Sequence, residues 1–496
     1  MIYVKIIGHN FIYELKEMIL QYFHKGNIVF LDKDEKQDLK NVYLIRIVLE
    51  KRNDGNIVYT KIEMNGKEIA KSEIRLTNNS LQNKKITLQK IKMTLYHAMK
   101  DGFDHILPWG ILTGIRPGKI VHKLIDQGFS KDEILNLLKN NYLLSKDKAD
   151  LLMNVAENER DIIYPICKKT ISLYIGIPFC PSRCIYCSFL SFVLTKDRSI
   201  LEKYMATLKF EIKRIANYIK DHNLHVKAIY IGGGTPTILN TGELKSLLYT
   251  IGQELNLKDV KEYTLEAGRP DTIDREKLKI ALQYGISRIS INPQTMNENT
   301  LNKIGRNHSP ADIIKSFYLA REMGFNFINM DLILGLPGEN CKALINTLNH
   351  IKYLQPENLT IHIMSLKRGS KLYENTEDIR FGWEKNITEM QEISKNFASD
   401  NGYFPYYLYR QKYMLGNLEN VGYCKEGYKS VYNILMMSEK QTIIGLGAGS
   451  VTKVFFPQED RIERFPNVKD VGLYNKRIKE MIDQKLILLD SLYSVD

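Results

Sequence analysis

The sequence predicts an α/β fold: a parallel sheet of six βα units, preceded by a small α+β module and followed by a mostly helical region. Two observations carry this. Beyond residue 170, six short apolar runs (SLYIGIPF, VKAIYIGGG, EYTLEAG, RISINPQ, FINMDLILG and LTIHIMS) alternate with amphipathic helical stretches. Strands joined through helices lie parallel, because parallel neighbours need a crossover and a helix is the usual one. Before residue 95 the grammar is different, with alternating runs punctuated by the Asp-Gly and Asn-Gly pairs that tolerate the positive φ of tight hairpins.

Taken in order, residues 1–95 read as the α+β module. VYLIRIVLE, NIVYTKIEM and KEIAKSEIRL, turning at Asp54-Gly55 and Asn65-Gly66, make a three-stranded antiparallel meander. Residues 96–168 read as a helical connector, because KLIDQG, SKDEILNLLKNN and SKDKADLLMNVAENER have apolar residues at helical spacing, with Ser130 and Ser145 as N-caps. Within it LPWGILTGIRPGK carries Trp109 and Arg116, readable as a ligand contact or as domain packing. Residues 169–370 hold the βα array. Its first crossover is a helix with Leu201, Tyr204, Met205, Leu208, Ile212, Ile215 and Ile219 on one face. In residues 371–496 helices and loops predominate, and RFGWEKNITEMQEISKNFASDNG reads as one helix ending at Gly402. Periodicity leaves open whether the sheet stays open or curls into a partial barrel; in either case a site belongs at the carboxyl ends of the strands.

Composition narrows the classes. With 496 residues and 44% hydrophobic content the chain buries large cores and is not disordered. Seventy Lys+Arg against 57 Asp+Glu give a net charge of +13, which favours an anionic partner, although the basic residues are spread over helix faces. No stretch is apolar enough to span a membrane and MIYVKIIGHN does not read as a signal peptide, so a cytoplasmic location is expected. Residues 41–75 lack the interleaved basic and aromatic residues of an RNA-recognition module, so no nucleic-acid partner is expected.

In a reducing compartment a tight cysteine cluster reads as metal-binding or catalytic. Cys180, Cys184 and Cys187 form C-x3-C-x2-C directly after the first strand, whereas Cys167, Cys341 and Cys424 are scattered and read as small buried hydrophobes. Structural zinc takes four ligands, and no second CxxC pair exists; a fourth ligand would have to be a distant residue such as His308. A four-iron cubane held by three thiolates keeps one iron open for chemistry. The other strand ends are also unusual. GGGTPT follows the second strand, Glu266-Ala267-Gly268 the third and Asn292-Pro293-Gln294 the fourth, while Asp331 and GLPGE fall within or just after the fifth.

C-x3-C-x2-C at the head of a βα array resembles the radical S-adenosylmethionine superfamily, whose fold is a partial (β/α)6 barrel. Tyr174 with IPFC, GGGTPT, RIS-x-x-x-Q, IGR and GLGAGS at 445–450 resemble the oxygen-independent coproporphyrinogen III oxidase (dehydrogenase) family. EAGRPDT and the tyrosine-rich PYYLYRQKYMLGNLENVGY resemble its HemZ-type branch. The resemblance implies a [4Fe-4S] cluster on Cys180, Cys184 and Cys187 and S-adenosylmethionine on the open iron. It places Gly233, Gly234 and Thr235 at the methionine moiety and Tyr174 and Tyr186 near the cluster. Glu266, Gln294, Arg306 and Asp331 would meet the cosubstrate's carboxylate, ribose and amine, with Ser365 and Val451 lining the nucleoside pocket or a neighbouring one. The implied reaction is oxidative decarboxylation of coproporphyrinogen III to protoporphyrinogen IX by a 5′-deoxyadenosyl radical, with a low-potential electron donor such as flavodoxin or ferredoxin. Tyr403, Tyr406, Tyr407, Tyr409 and Arg410 would suit a flat polyanion or form a packed cluster.

Two positions depart from the family pattern: Gly176 stands where well-studied members carry histidine, and Phe189 where they carry a further cysteine. A haem carrier and an anaerobic haem-degrading relative are therefore kept beside the dehydrogenase, and the net charge alone suggests a radical enzyme acting on RNA.

Overall fold

In the computed structural model, the described residues are all except 24–27, 32–40, 53–54, 78–82, 190, 366–369, 375–379, 413 and 495–496, with 373–374 and 380–385 described in backbone only. The chain divides into two units, Met1–Met153 and Asn154–Asp496.

In the first unit the expected meander is present as β3 (Tyr43–Arg52), β4 (Gly55–Met64) and β5 (Lys67–Leu76), preceded by β1 (Ile2–Ile7) and β2 (Ile28–Leu31). The turn between β4 and β5 has Asn65 and Gly66 at φ 52° and 77°, the positive-φ pair that a two-residue hairpin requires. Asp54 of the preceding turn lies outside the described residues. β1 pairs in parallel with both β2 and β3, giving a mixed sheet ordered β2-β1-β3-β4-β5. Helix Lys84–Phe103, capped by the Asn83 side chain, runs across residue 95 and buries Ile91, Leu95, Ala98 and Met99 in the same core as Val4, Ile45, Val58 and Ile62. Ser130 closes a reciprocal capping box with Glu133, and the Ser145 hydroxyl accepts from Lys148 N. Trp109 is buried, so it serves packing.

The second unit is built on an 11-stranded sheet. Its heart is the predicted array: β6 (Thr170–Ile177), β9 (His225–Gly233), β10 (Glu262–Glu266), β11 (Arg288–Ser290), β12 (Ile328–Leu334) and β13 (Asn358–Ile363), each parallel to the next. Two short strands, β7 (Phe179–Cys180) and β8 (Phe192–Val193), pair with each other after β6. Helix Ser199–Asp221 buries the full predicted face from Leu201 to Ile219.

The C-terminal region contributes long helices, including Arg380–Asp400 and Val471–Tyr493, but also five strands that the apolar pattern left unassigned. β14 (Phe404–Tyr409) and β15 (Asn420–Cys424) extend the sheet antiparallel beyond β13. β16 (Thr442–Leu446) adds a parallel strand on the other side of β6, followed by antiparallel β17 (Val451–Phe456) and β18 (Arg461–Pro466). No helix among the described residues is long and apolar enough to cross a membrane.

Candidate functional site

Because the central strands are parallel, their carboxyl ends form one rim, and the sequence motifs meet there. Pairing of β7 with β8 closes the cysteine loop at its base, with Phe192 N donating to Pro178 O at 2.8 Å and Leu194 N to Cys180 O at 3.0 Å. Inside the loop Cys187 N turns back to Cys184 O at 3.1 Å, and Ile185 N donates to Ile304 O of the IGR motif at 3.1 Å. Cys180 and Cys187 are partly exposed and Cys184 is buried. Burial raises the Cys180 thiol and pushes Cys187 up to about 11, with the neighbouring sulfurs adding to both. Among the described residues no three His, Cys, Asp or Glu side chains stand preassembled in metal-holding geometry.

The GGGTPT motif packs directly against this loop. Gly234 N donates to Ile177 O and Thr235 N to Phe179 O, both at 2.8 Å. A Cβ on Gly234 would lie 2.5 Å from Phe179 O, and Gly233 has φ +116°, so close backbone approach forbids side chains at both. The buried Thr235 hydroxyl donates to Cys180 Sγ at 3.4 Å.

Glu266, the last residue of β10, lies beneath these glycines and accepts from Gly233 N at 3.3 Å. Burial, with the Asp331 carboxylate adding like charge, pushes its carboxyl up to about 8. Asp331 sits in the middle of β12; burial opposes its ionisation, but His362, Asn329 and Thr360 together hold it below the ordinary carboxylate range. Gln294 adopts a left-handed φ of 66° and clips onto β12 through Gln294 N to Asp331 O (2.9 Å) and Ile333 N to Gln294 O (3.0 Å). Arg306 donates through Nη1 to Asn292 O at 2.5 Å and Gly268 O at 3.2 Å. Burial disfavours its charge, yet Tyr186 and Cys184 beside it more than compensate. Gln294 Oε1 and Arg306 Nε are buried with no hydrogen-bond partner among the described residues. Each costs free energy until something pairs with it.

The remaining predicted residues fall as follows. Tyr174 stacks on Tyr230 with ring centroids 6.2 Å apart, and Tyr230 on Tyr432 at 4.7 Å. Ser365 follows β13 at the same end of the sheet and donates to Lys412 O at 2.9 Å. Val451 opens β17 just beyond the turn after β16. The tyrosine run is largely a packing element: Tyr403, Tyr406, Tyr407 and Arg410 are buried, and Tyr403 OH is spent on Pro356 O at 2.6 Å. Of the scattered cysteines, Cys424 is buried as expected but Cys167 is exposed.

At Gly176 a Cβ would make only ordinary contact, 3.4 Å from Leu446 O, so packing does not by itself demand glycine; its carbonyl accepts from Tyr204 OH at 2.6 Å, where GLGAGS folds over it. Phe189 is 66% exposed. Arg269 and His362 went unread in the sequence, and His308 was read there only as a distant zinc ligand. Arg269 and His308 stand behind the cysteine loop, and His362 bridges Asp331 (3.7 Å) and Tyr409 OH (3.2 Å). Arg269 lies within the EAGRPDT motif and His308 two residues after IGR, so proximity to motifs was their only signal.

Comparison with known proteins bears on this site. Residues 174–351 match the model of the radical SAM superfamily. The chain is 41% identical over 389 residues to the oxygen-independent coproporphyrinogen-III oxidase-like protein HemZ of Bacillus subtilis, covering 78% of this chain and 77% of that protein. The chain belongs to that family of radical S-adenosylmethionine proteins. It is also 33% identical over 282 residues to the heme chaperone HemW of Bacillus subtilis, covering 56% of this chain and 70% of that one. The fold matches that of coproporphyrinogen III oxidase HemN from Escherichia coli with a TM-score of 0.52 at 20% identity, over 66% of this chain and 73% of that one. Members of the superfamily bind a [4Fe-4S] cluster and S-adenosylmethionine, and these are this family's cofactors. The donors at the rim fit both groups: three soft thiols for iron, and for a polar cosubstrate the orphaned Gln294 and Arg306 atoms beside two carboxyls.

Proposed function

We propose that the protein catalyses oxygen-independent oxidative decarboxylation of coproporphyrinogen III to protoporphyrinogen IX. The observation that carries the reading is the convergence, on one rim, of three thiols with two unpartnered polar atoms and a paired set of carboxyls, in a chain 41% identical to a coproporphyrinogen-III oxidase-like protein. Cys180, Cys184 and Cys187 would hold the cluster. Gly233, Gly234 and Thr235 bring backbone close to the methionine end of S-adenosylmethionine, and Tyr174 and Tyr186 flank the cluster. Glu266, Gln294, Arg306 and Asp331 meet the amine, ribose and carboxylate, while Ser365 and Val451 close the nucleoside side. When bound, cluster and cosubstrate supply a 5′-deoxyadenosyl radical that abstracts hydrogen; the chain's own residues aim it and exclude water. Abstraction at the β-carbon of each of two propionates, with loss of CO2 and one electron to an external acceptor, leaves two vinyl groups. The net charge of +13 suits a tetracarboxylate.

The 33% identity to a protein named a heme chaperone favours a second reading, a haem carrier on the same scaffold. Anaerobic turnover separates them. The reduced enzyme is expected to cleave S-adenosylmethionine faster with coproporphyrinogen III present, releasing CO2 and about two 5′-deoxyadenosines per divinyl product. Tight haem binding without turnover would overturn the dehydrogenase reading in favour of the carrier.

A further inference from the structure

Behind the cysteine loop stands a cation that the cosubstrate contacts do not use. Arg269 leaves the end of β10 with its side chain only 4% exposed. Nε and Nη2 grip the two oxygens of Asp271 at 3.0 Å each, and Nη1 donates to Ser182 Oγ at 3.0 Å. Ser182, inside the cysteine loop, donates in turn to Gly305 O at 2.9 Å. The same Nη1 faces Cys184 Sγ at 3.9 Å. On the far side of Asp271 lies the buried His308 ring, its Nδ1 3.5 Å from Oδ1. A bidentate carboxylate on one edge and a loop hydroxyl on the other leave the guanidinium little rotational freedom. Its charge is therefore held at a fixed distance from one particular sulfur.

Hydrogen bonds to the sulfurs and local charge are what set the potential of an iron–sulfur cluster. Reduction adds one electron to the cluster and its thiolates, with no bond made or broken at the arginine. A fixed cation beside one thiolate stabilises that added charge, and low local dielectric makes the effect large. We propose that Arg269 is a positioning residue that raises the reduction potential of the cluster through Cys184, with Asp271 as the counter-charge that limits the rise; this rests on the reading of Cys184 as a cluster ligand. A residue that merely braced the loop would act on cluster retention. A charge acting on potential instead predicts opposite signs for loss of the cation and loss of its counter-ion.

The test is a dithionite redox titration, followed by visible absorption and electron paramagnetic resonance, on the full chain reconstituted anaerobically with iron and sulfide. Arg269→Gln should keep its iron yet lower the reduced-to-oxidised ratio at a fixed potential about tenfold, a shift of about 59 mV for a one-electron couple. Asp271→Asn should shift the ratio severalfold the other way, and Arg269→Lys should fall between Arg269→Gln and the parent. If Arg269→Gln fails to hold a cluster, the upward shift in Asp271→Asn still decides. Shifts of the same sign in both variants, or none, overturn the inference. Cys184→Ala separates this from the underlying reading: an intact four-iron cluster in that variant would remove Cys184 as a ligand, whereas its loss together with unshifted potentials would sink only the role of Arg269.

Discussion

Two carboxyl groups in the second unit, Glu211 and Glu266, are both drawn away from water and end in opposite states. Glu211, on helix Ser199–Asp221, is wholly buried beneath GLGAGS. Its oxygens accept from Lys485 Nζ (2.5 Å), Tyr474 OH (2.6 Å), Gly447 N (2.7 Å) and Asn467 Nδ2 (2.9 Å). Burial alone would favour its neutral form, but Lys485 and the other donors outweigh that and hold it below the ordinary carboxylate value. Glu266, at the rim, has one backbone donor and a like-charged neighbour, and is pushed up to about 8. A charge fully paired within the chain locks structure; one left short of partners is set up to receive them from elsewhere. The lock fastens helix Val471–Tyr493 to the loop over Gly176, so the glycine, GLGAGS and the last helix form one assembly.

The largest effect is expected where that lock is broken. Lys485→Met leaves Glu211 buried without its cation, which costs about 3–5 kcal/mol. Urea unfolding should show it, and the double variant Glu211→Gln/Lys485→Met should recover much of the loss. A single-variant cost near zero would mean that Glu211 reaches water and that the contrast with Glu266 is false.

The two groups also differed in legibility. The rim was readable because its chemistry is local: the cysteines share one loop, and GGGTPT, Glu266 and Gln294 each end or follow a strand whose apolar run marks it. The lock joins residues 211, 447, 467, 474 and 485 through folding alone, and nothing in a run such as NKRIKEMIDQKLILL separates Lys485 from its solvated neighbours. Strands β15 and β18 escaped for a related reason, since NVGYC and RIERFP lie at or near the sheet's edges, where polar or small residues blur the apolar signal, whereas FPYYLY, TIIGL and VTKVFF are apolar enough to be read as strands. β1 was hidden by its position at the chain start, although MIYVKII alternates cleanly. Arg269 sits in a motif and His308 just after one, but both act through contacts between separate loops of the second unit, which spacing does not encode.

A smaller effect is expected at the unpartnered atoms of the rim. Gln294→Ala and Arg306→Ala remove groups assigned here to S-adenosylmethionine, and loss of a charge-assisted hydrogen bond costs about 1.5–3 kcal/mol, or roughly ten- to a hundredfold in affinity. Equilibrium dialysis should register this with iron content unchanged. Unaltered binding in both variants would make these residues part of the fold, as Glu211 is.

The most discriminating test is whether Glu266 is neutral until its ligand arrives. A carboxyl whose folded pKa lies near 8, against about 4.3 unfolded, binds a proton in the folded state between those values. The stability this gives is fully present below the unfolded pKa and is lost as pH rises through the folded one. Unfolding midpoints of the parent should therefore decline toward pH 9 relative to Glu266→Gln, which has no proton to lose. Binding adds a second readout. If the cosubstrate's amine pairs with Glu266, the carboxyl must ionise, so at pH 7 the parent should release roughly one proton more per ligand bound than Glu266→Gln does. Calorimetry in buffers of different ionisation enthalpy measures that difference. Equal proton release in the two proteins would place the amine elsewhere, with Asp331, already ionised, as the remaining carboxylate at the rim able to receive it.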